Sequence, residues 1–219
     1  MKKRKVSDAT FFVTRRVGRL LGGRSVFRGG GRVGVGVSGD LVSSALLWVL
    51  HVRHRWVPVR TELVPLHLGE EPLPSGLRSL CERVGVACRV LPRPAATPVA
   101  EALLDAAASL GLDAVALGDV IDDRAARVLG SLVFEGVPAS VPPLLEVPGR
   151  PILVRPFALI EEAAVLRVAM DEELDGAPPR QSRDREWLER LLAMVPGERL
   201  DLLTNLVNAP DRVRVDYLV

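Results

Sequence analysis

The chain has 219 residues, 48% of them hydrophobic, and a formal net charge of +2. That length and apolar content exclude global disorder and allow one sizeable core. Two cysteines exclude a disulfide scaffold, and Asp40 divides the longest apolar run, so no membrane-spanning stretch is present and a cytoplasmic protein is expected.

The charge is unevenly placed. Lys2, Lys3, Arg4, Lys5, Arg15, Arg16, Arg19, Arg24, Arg28 and Arg32 face a single acid, Asp8, before the first strand. A basic start followed by Phe11-Phe12-Val13 mimics a leader, but Arg15, Arg16 and Arg19 fall where a leader's apolar stretch should run. The asymmetry predicts an N-terminus that faces a polyanion, with Arg15, Arg16 and Arg19 as candidate RNA contacts. Residues 1–31 therefore read as a basic segment, with a helix over Ala9–Leu21 closed by Gly22-Gly23.

A short apolar strand follows at Val33–Val37, broken by Ser38-Gly39-Asp40 and resumed as an apolar helix over Leu41–Arg53. Further strands are predicted at Glu62–Leu68, Val86–Leu91, Asp113–Leu117 and Ile152–Arg155. Helices are predicted between them at Leu77–Val84, Val99–Leu110 and Asp122–Phe134, with another over Glu161–Leu174. Pro138–Pro151 reads as an irregular, proline-loaded excursion. After a polar break come helical segments at Arg185–Met194 and Glu198–Asn208.

Strands alternating with helices at this spacing predict an α/β fold: a parallel five-stranded sheet with helices on both faces, plus C-terminal helices. The corresponding units are residues 1–31, 32–175 and 176–219. Ligands of such sheets bind beyond the carboxyl ends of the strands, which puts Ser38–Ser44 and Gly118–Asp123 on one rim. The first turn of the helix after Asp40 offers unpaired N–H groups and a positive dipole end, so it is a candidate anion site.

Gly34-Val35-Gly36-Val37-Ser38-Gly39 matches the dinucleotide fingerprint G-x-G-x-x-G by letter. Its first two glycines lie within the strand, though, and His67-Leu68-Gly69 stands where the ribose-binding acid should be. The Walker phosphate loop fails, because Asp40 and Leu41 occupy its Gly and Lys neighbourhood.

Strand, Ser-Gly-x-x-x-Ser, then apolar helix resembles the S-G-G-x-D-S loop of the PP-loop ATP pyrophosphatases. Leu117-Gly118 followed by Asp122-Asp123 resembles that superfamily's L-G-H-H-x-D-D segment, and Val154-Arg155-Pro156-Phe157 with Glu161-Glu162 resembles its V-R-P-L strand and acidic helix start. The order of parts is most similar to the tRNA 2-thiocytidine synthetase family, over about Arg15 to Tyr217. The resemblance implies an adenine nucleotide alpha hydrolase-like fold, ATP with Mg as cofactors, tRNA or other RNA as partner, and a nucleotide site at Ser38, Gly39, Asp40, Ser43, Gly118, Asp122 and Asp123.

The departures bear on chemistry. Asp40 replaces the loop's second glycine and Val42 its aspartate; Asp119 and Val120 replace two histidines. A carboxylate at 40 opposes an incoming polyphosphate: two like charges about 4 Å apart cost roughly 1 kcal/mol in water and more in a drier site. The same residue also suits a helix N-cap. Acids at a helix start are stabilised by its dipole, so Asp122 and Asp123 read equally as structural or as nucleotide-binding. The family binds an iron–sulfur cluster through cysteines, but Pro92 and Ala95 occupy the places of the first pair and Met170–Gly176 holds none. No iron–sulfur cluster is expected.

Cys81 and Cys88 match no zinc spacing and read as core thiols; His51 and His54 read as part of a solvated basic face with Arg53 and Arg55. Three functions follow: a diverged, non-thiolating family member that still binds nucleotide or RNA; an active adenylating enzyme with altered residues; or a non-enzymatic interaction scaffold. Catalytic residues and oligomeric state stay open.

Overall fold

A computed structural model describes residues 6–23, 27, 30–58, 61–179, 181–195 and 198–216, the side chains of 211–216 excepted. Lys2, Lys3, Arg4, Lys5, Arg24, Arg28 and Tyr217 lie outside the described residues. Six strands form one sheet: β1 (Arg32–Gly36), β2 (Glu62–Leu68), β3 (Arg89–Leu91), β4 (Ala114–Ala116), β5 (Leu144–Leu145) and β6 (Ile152–Val154). Their order is β3-β2-β1-β4-β6-β5, parallel throughout except for the antiparallel β5–β6 pair. The expected sheet of five strands is thus corrected to six. The added strand lies inside the proline-loaded excursion, where Leu144 pairs with Val154 and Leu145 with Leu153. Two residues between prolines carry no local strand signal; the pairing with β6 creates the strand.

Helices α1 (Asp8–Leu21), α2 (Leu41–Trp56), α3 (Ser75–Val84) and α6 (Glu162–Asp171) contribute to the main core on one face of the sheet. Helix α4 (Val99–Ser109) covers the other face through Leu103, Leu104 and Ala107. Helices α5 (Ile121–Glu135), α7 (Arg183–Met194) and α8 (Arg199–Asp216) share a third cluster built on Ile121, Ala125, Leu188 and Leu203. The last helix runs through Pro210 rather than stopping at Asn208. Among the described residues no helix is long and apolar enough to cross a membrane.

Valines 33 and 35 of β1 point into the main core, while Gly34 faces Leu66 and Leu112 and Gly36 faces Leu103 of α4. A Cβ at Gly36 would stand 2.9 Å from both Leu103 Cδ1 and Leu117 Cδ2. These glycines admit the leucines of the opposite layer, which explains the fingerprint match without a dinucleotide turn. The chain runs outward through β1, β2 and β3, then returns to place β4 on the other side of β1. That reversal opens a crevice at the carboxyl ends of β1 and β4.

Helix α1 is docked at its start. Ser7 caps it by accepting from Thr10 N–H at 3.1 Å, while Ser7 N–H and the Thr10 hydroxyl both donate to Glu172 Oε1, at 3.0 and 2.7 Å. Burial pushes the Glu172 pKa up, but these hydrogen bonds outweigh it and the net shift is downward. A depressed carboxyl stabilises the fold above its unfolded pKa and loses that contribution as pH falls through the folded value. Ser7→Ala is expected to cost about 1 kcal/mol, read as a melting point about 2–4 °C lower. Acid should remove the Glu172 contribution in a calorimetric pH series.

Candidate nucleotide-binding cleft

The crevice is a cleft of about 750 Å³. Ser38, Asp40 and Ser43 stand on its wall, with Gly118, Asp119 and Asp123 from the second motif; Gly39 and Asp122 do not. Gly39 makes the turn at φ +88°, a conformation open to glycine at little cost.

Asp40 organises the loop. Its extended backbone makes it the N-cap of α2, and its Oδ1 accepts from Ser43 N–H at 2.7 Å. Its Oδ2 lies 2.7 Å from Ser38 Oγ. Ser38 N–H in turn donates to Ser43 Oγ at 3.1 Å. Two donors that a phosphate would use here, Ser38 N–H and Ser43 N–H, are therefore engaged by the loop's own side chains.

A strap reinforces this. Leu41 N–H donates to Ala177 O at 2.9 Å, and Ala177 N–H donates to Gly39 O at 3.0 Å. The two form a parallel bridge between Asp40 and Ala177. A Cβ at Gly176 would come within 3.0 Å of both Asp40 C and Leu41 N, so the strap can lie this close because residue 176 is glycine.

The two acids of the second motif point in different directions. Asp122 is 1% exposed; its Oδ2 accepts from Glu162 N–H at 2.8 Å and its Oδ1 from Arg199 at 2.7 Å. Arg185, also buried, reaches Glu162 at 2.7 Å and lies 3.7 Å from Asp122 and 3.6 Å from Asp123. Asp122 thus ties α5 to α7 and α8. Asp123 faces the cleft, its Oδ2 accepting from Val120 N–H at 3.1 Å. Burial raises its pKa to about 6, and burial likewise raises that of Glu162 on the same wall.

Other wall residues carry weaker sequence signals. Arg155 pairs with Asp119 at 2.6 Å and donates to Pro142 O at 2.9 Å. Arg127 lies one helical turn beyond Asp123, a spacing that could have been read from α5. His67, at the end of β2, holds Val37 O through Nδ1 at 2.8 Å. A carbonyl only accepts, so Nδ1 carries a proton.

Cys81 and Cys88 are free thiols off the cleft wall. They contact each other: the hydrogen bond to Cys88 lowers the Cys81 pKa, and the same bond raises that of Cys88. His51 stacks on Trp48 with centroids 5.7 Å apart, and burial lowers its pKa. Among the described residues no group of three or more His, Cys, Asp or Glu is placed to hold a metal ion. Arg15 and Arg19 are exposed and Arg16 half-buried on α1, with Arg15 over Phe11 and Arg16 over Phe12.

A parallel sheet with a Ser-Gly-Asp-x-x-Ser turn at its switch point defines a protein of the PP-loop ATP pyrophosphatase superfamily. No family model matches the chain. The tRNA-cytidine(32) 2-sulfurtransferase of Anaeromyxobacter sp. (strain Fw109-5) is 31% identical over 220 residues, covering 87% of this chain and 72% of the relative. Its counterpart from Chromohalobacter salexigens is 30% identical over 243 residues, covering 93% and 84%. This chain belongs to the tRNA-cytidine(32) 2-sulfurtransferase family. The fold agrees with that of the U34-tRNA thiolase of Methanococcus maripaludis, solved with its 4Fe-4S cluster: TM-score 0.75, 17% identity, covering 96% of this chain and 81% of that one. NAD+ synthetase from Burkholderia pseudomallei matches at TM-score 0.52 and 15% identity, covering 96% and 91%.

Two substitutions separate the roles of the acid pair. Asp122→Ala removes the buried acceptor of Glu162 N–H and of Arg199, while Arg185 and Arg199 each keep another carboxylate, and it is expected to destabilise by about 1.5–3 kcal/mol in urea melts. Asp123→Asn keeps an acceptor for Val120 N–H and removes a carboxyl whose folded pKa is raised. Such a group stabilises below its unfolded pKa and loses that contribution as pH rises through 6. The variant should melt close to the parent at pH 4 and above it at pH 7.5.

Proposed function

We propose that this family member binds an adenine nucleotide weakly at the cleft, engages RNA through α1, and does not carry out sulfur transfer. The carrying observation is the Asp40 carboxylate on Ser43 N–H at 2.7 Å, in the place where the family's loop receives polyphosphate. An arriving phosphate must displace that carboxylate from its cap and then bear its charge. Val42 offers no metal ligand in the position of the family's aspartate. Retained binding is supported by the charged cleft wall, where Arg93 and Arg127 stand beside the arginine paired to Asp119.

Ser38, Asp40, Ser43, Gly118 and Asp123 would line the nucleotide, with Gly39 shaping the turn and Asp122 acting through the packing of α7 and α8. The names of the relatives support tRNA as the RNA, with Arg15, Arg16 and Arg19 as its contacts. A thiolate-held cluster is not part of this reading, because the chain has two cysteines in all. The basic segment 1–31, the sheet unit 32–175 and the helical extension 176–219 then correspond to RNA contact, nucleotide cleft and brace.

Calorimetric titration with ATP and magnesium tests this. Parent protein should bind more weakly than about 10 μM, and Asp40→Gly with Val42→Asp should bind at least tenfold more tightly, about 1.4 kcal/mol. Tight binding by the parent, with AMP released on adding tRNA, would overturn the proposal in favour of an active adenylating enzyme.

A further inference from the structure

A second concave surface lies at the other end of α2. Arg53, in the last turn of that helix, is 7% exposed. Among the described residues its guanidinium has no carboxylate and no hydrogen-bond partner, and its Nε is fully enclosed. Its contact is the ring of Phe27, 5.5 Å from the centroid. Burial draws its pKa below the usual guanidinium range. The Thr14 hydroxyl, on α1, is also buried without a partner. Both residues line one cavity of about 380 Å³, with Arg15 and Trp56 at its edge.

Buried charges are ordinarily paired, and an aromatic face answers only one side of a guanidinium. A guanidinium with no answering carboxylate on the wall of a cavity marks a place for a ligand that accepts hydrogen bonds and carries negative charge. Trp56 is 44% exposed and packs on Phe11 at 5.6 Å, so a flat apolar surface adjoins the charge. We propose that this cavity is an anion site that takes a phosphoryl group, held by the terminal nitrogens of the Arg53 guanidinium, with Arg15 at its mouth. At about 1.5 Å per residue along α2, the site lies roughly 18 Å from the Ser38–Ser43 loop. It is independent of the cleft. The phosphoryl group comes from an RNA backbone, with a base on Trp56, or from a small phosphorylated molecule; the shared chemistry is the same.

The test uses the full chain and inorganic phosphate at constant ionic strength, with chloride as the control. Phosphate at roughly 10 mM should raise the melting point of the parent and quench its tryptophan emission saturably, the quench being absent in Trp56→Phe, and both responses should be lost in Arg53→Met. Cleft variant Ser38→Ala should keep both, so failure of the nucleotide proposal and failure of this one are told apart. In chloride, Arg53→Met should melt no lower than the parent, whereas a merely structural arginine would leave it less stable. A short single-stranded RNA should then bind about tenfold less tightly to Arg53→Met, with a salt slope smaller by about one. An RNA response unchanged by Arg53→Met, beside a phosphate response that it abolishes, assigns the site to a small phosphorylated molecule. No phosphate response in the parent, or an equal one in Arg53→Met, overturns the proposal. Should Arg53→Met fail to fold, Arg53→Lys and the parent's Trp56 quench decide in the same way.

Discussion

The carboxylate of Asp40 on the third N–H of α2 is the contact from which the cleft takes its character. A helix start inside a protein leaves several N–H groups to be satisfied, and a bound anion is one solution. Here the chain supplies its own anion. Asp40 takes Ser43 N–H and orders the Ser38 hydroxyl, and Ala177 takes Leu41 N–H from outside. Leu41 N–H and Ser43 N–H are thus satisfied without phosphate. Any nucleotide that enters must compete with hydrogen bonds already made, two of them to an ionised group and so stronger than neutral ones.

The rest of the cleft is held by charges that are mostly answered by other charges. Asp119 holds Arg155, which is also held by the carbonyl of Pro142 in the excursion that contains β5. Asp122, Arg185, Glu162, Arg199 and Glu189 form a chain of ion pairs from the cleft floor into the C-terminal helices. Desolvation raises the carboxyls of Asp123 and Glu162, and these two, rather than Asp122, face the cavity. The C-terminal helices therefore act on the cleft as a brace: they pack on α5 and fix its first turn. Arg53, at the opposite end of α2, contrasts with all of these because its charge has no answering carboxylate among the described residues.

Much of this was legible in residue order. The alternation of apolar runs with Gly and Pro breaks placed the five longer strands and the main helices, because those segments each carry their own periodicity. The Ser38–Ser43 turn and the cap at Asp40 were legible for the same reason: both are local arrangements of four to six residues. The sixth strand was not, since Leu144-Leu145 becomes a strand through its partner β6. Nor was the divergence of Asp122 from Asp123. Adjacent residues on a helix point about 100° apart, and which of the two meets the cavity depends on where α7 and α8 pack. The strap through Gly176 and Ala177 was hidden as well, for it joins segments far apart in the chain.

By itself the sequence determined what is local: the α/β class, the family and the capped loop. Tertiary structure decided what depends on distant partners. It set which acids line the cleft, which are spent on the brace, that the loop donors are engaged from both sides, and that Arg53 is buried beside an unanswered cavity. The reason is physical. A side chain's type and spacing are carried by the chain, but its desolvation and its counter-charges come from elements that meet it only after folding.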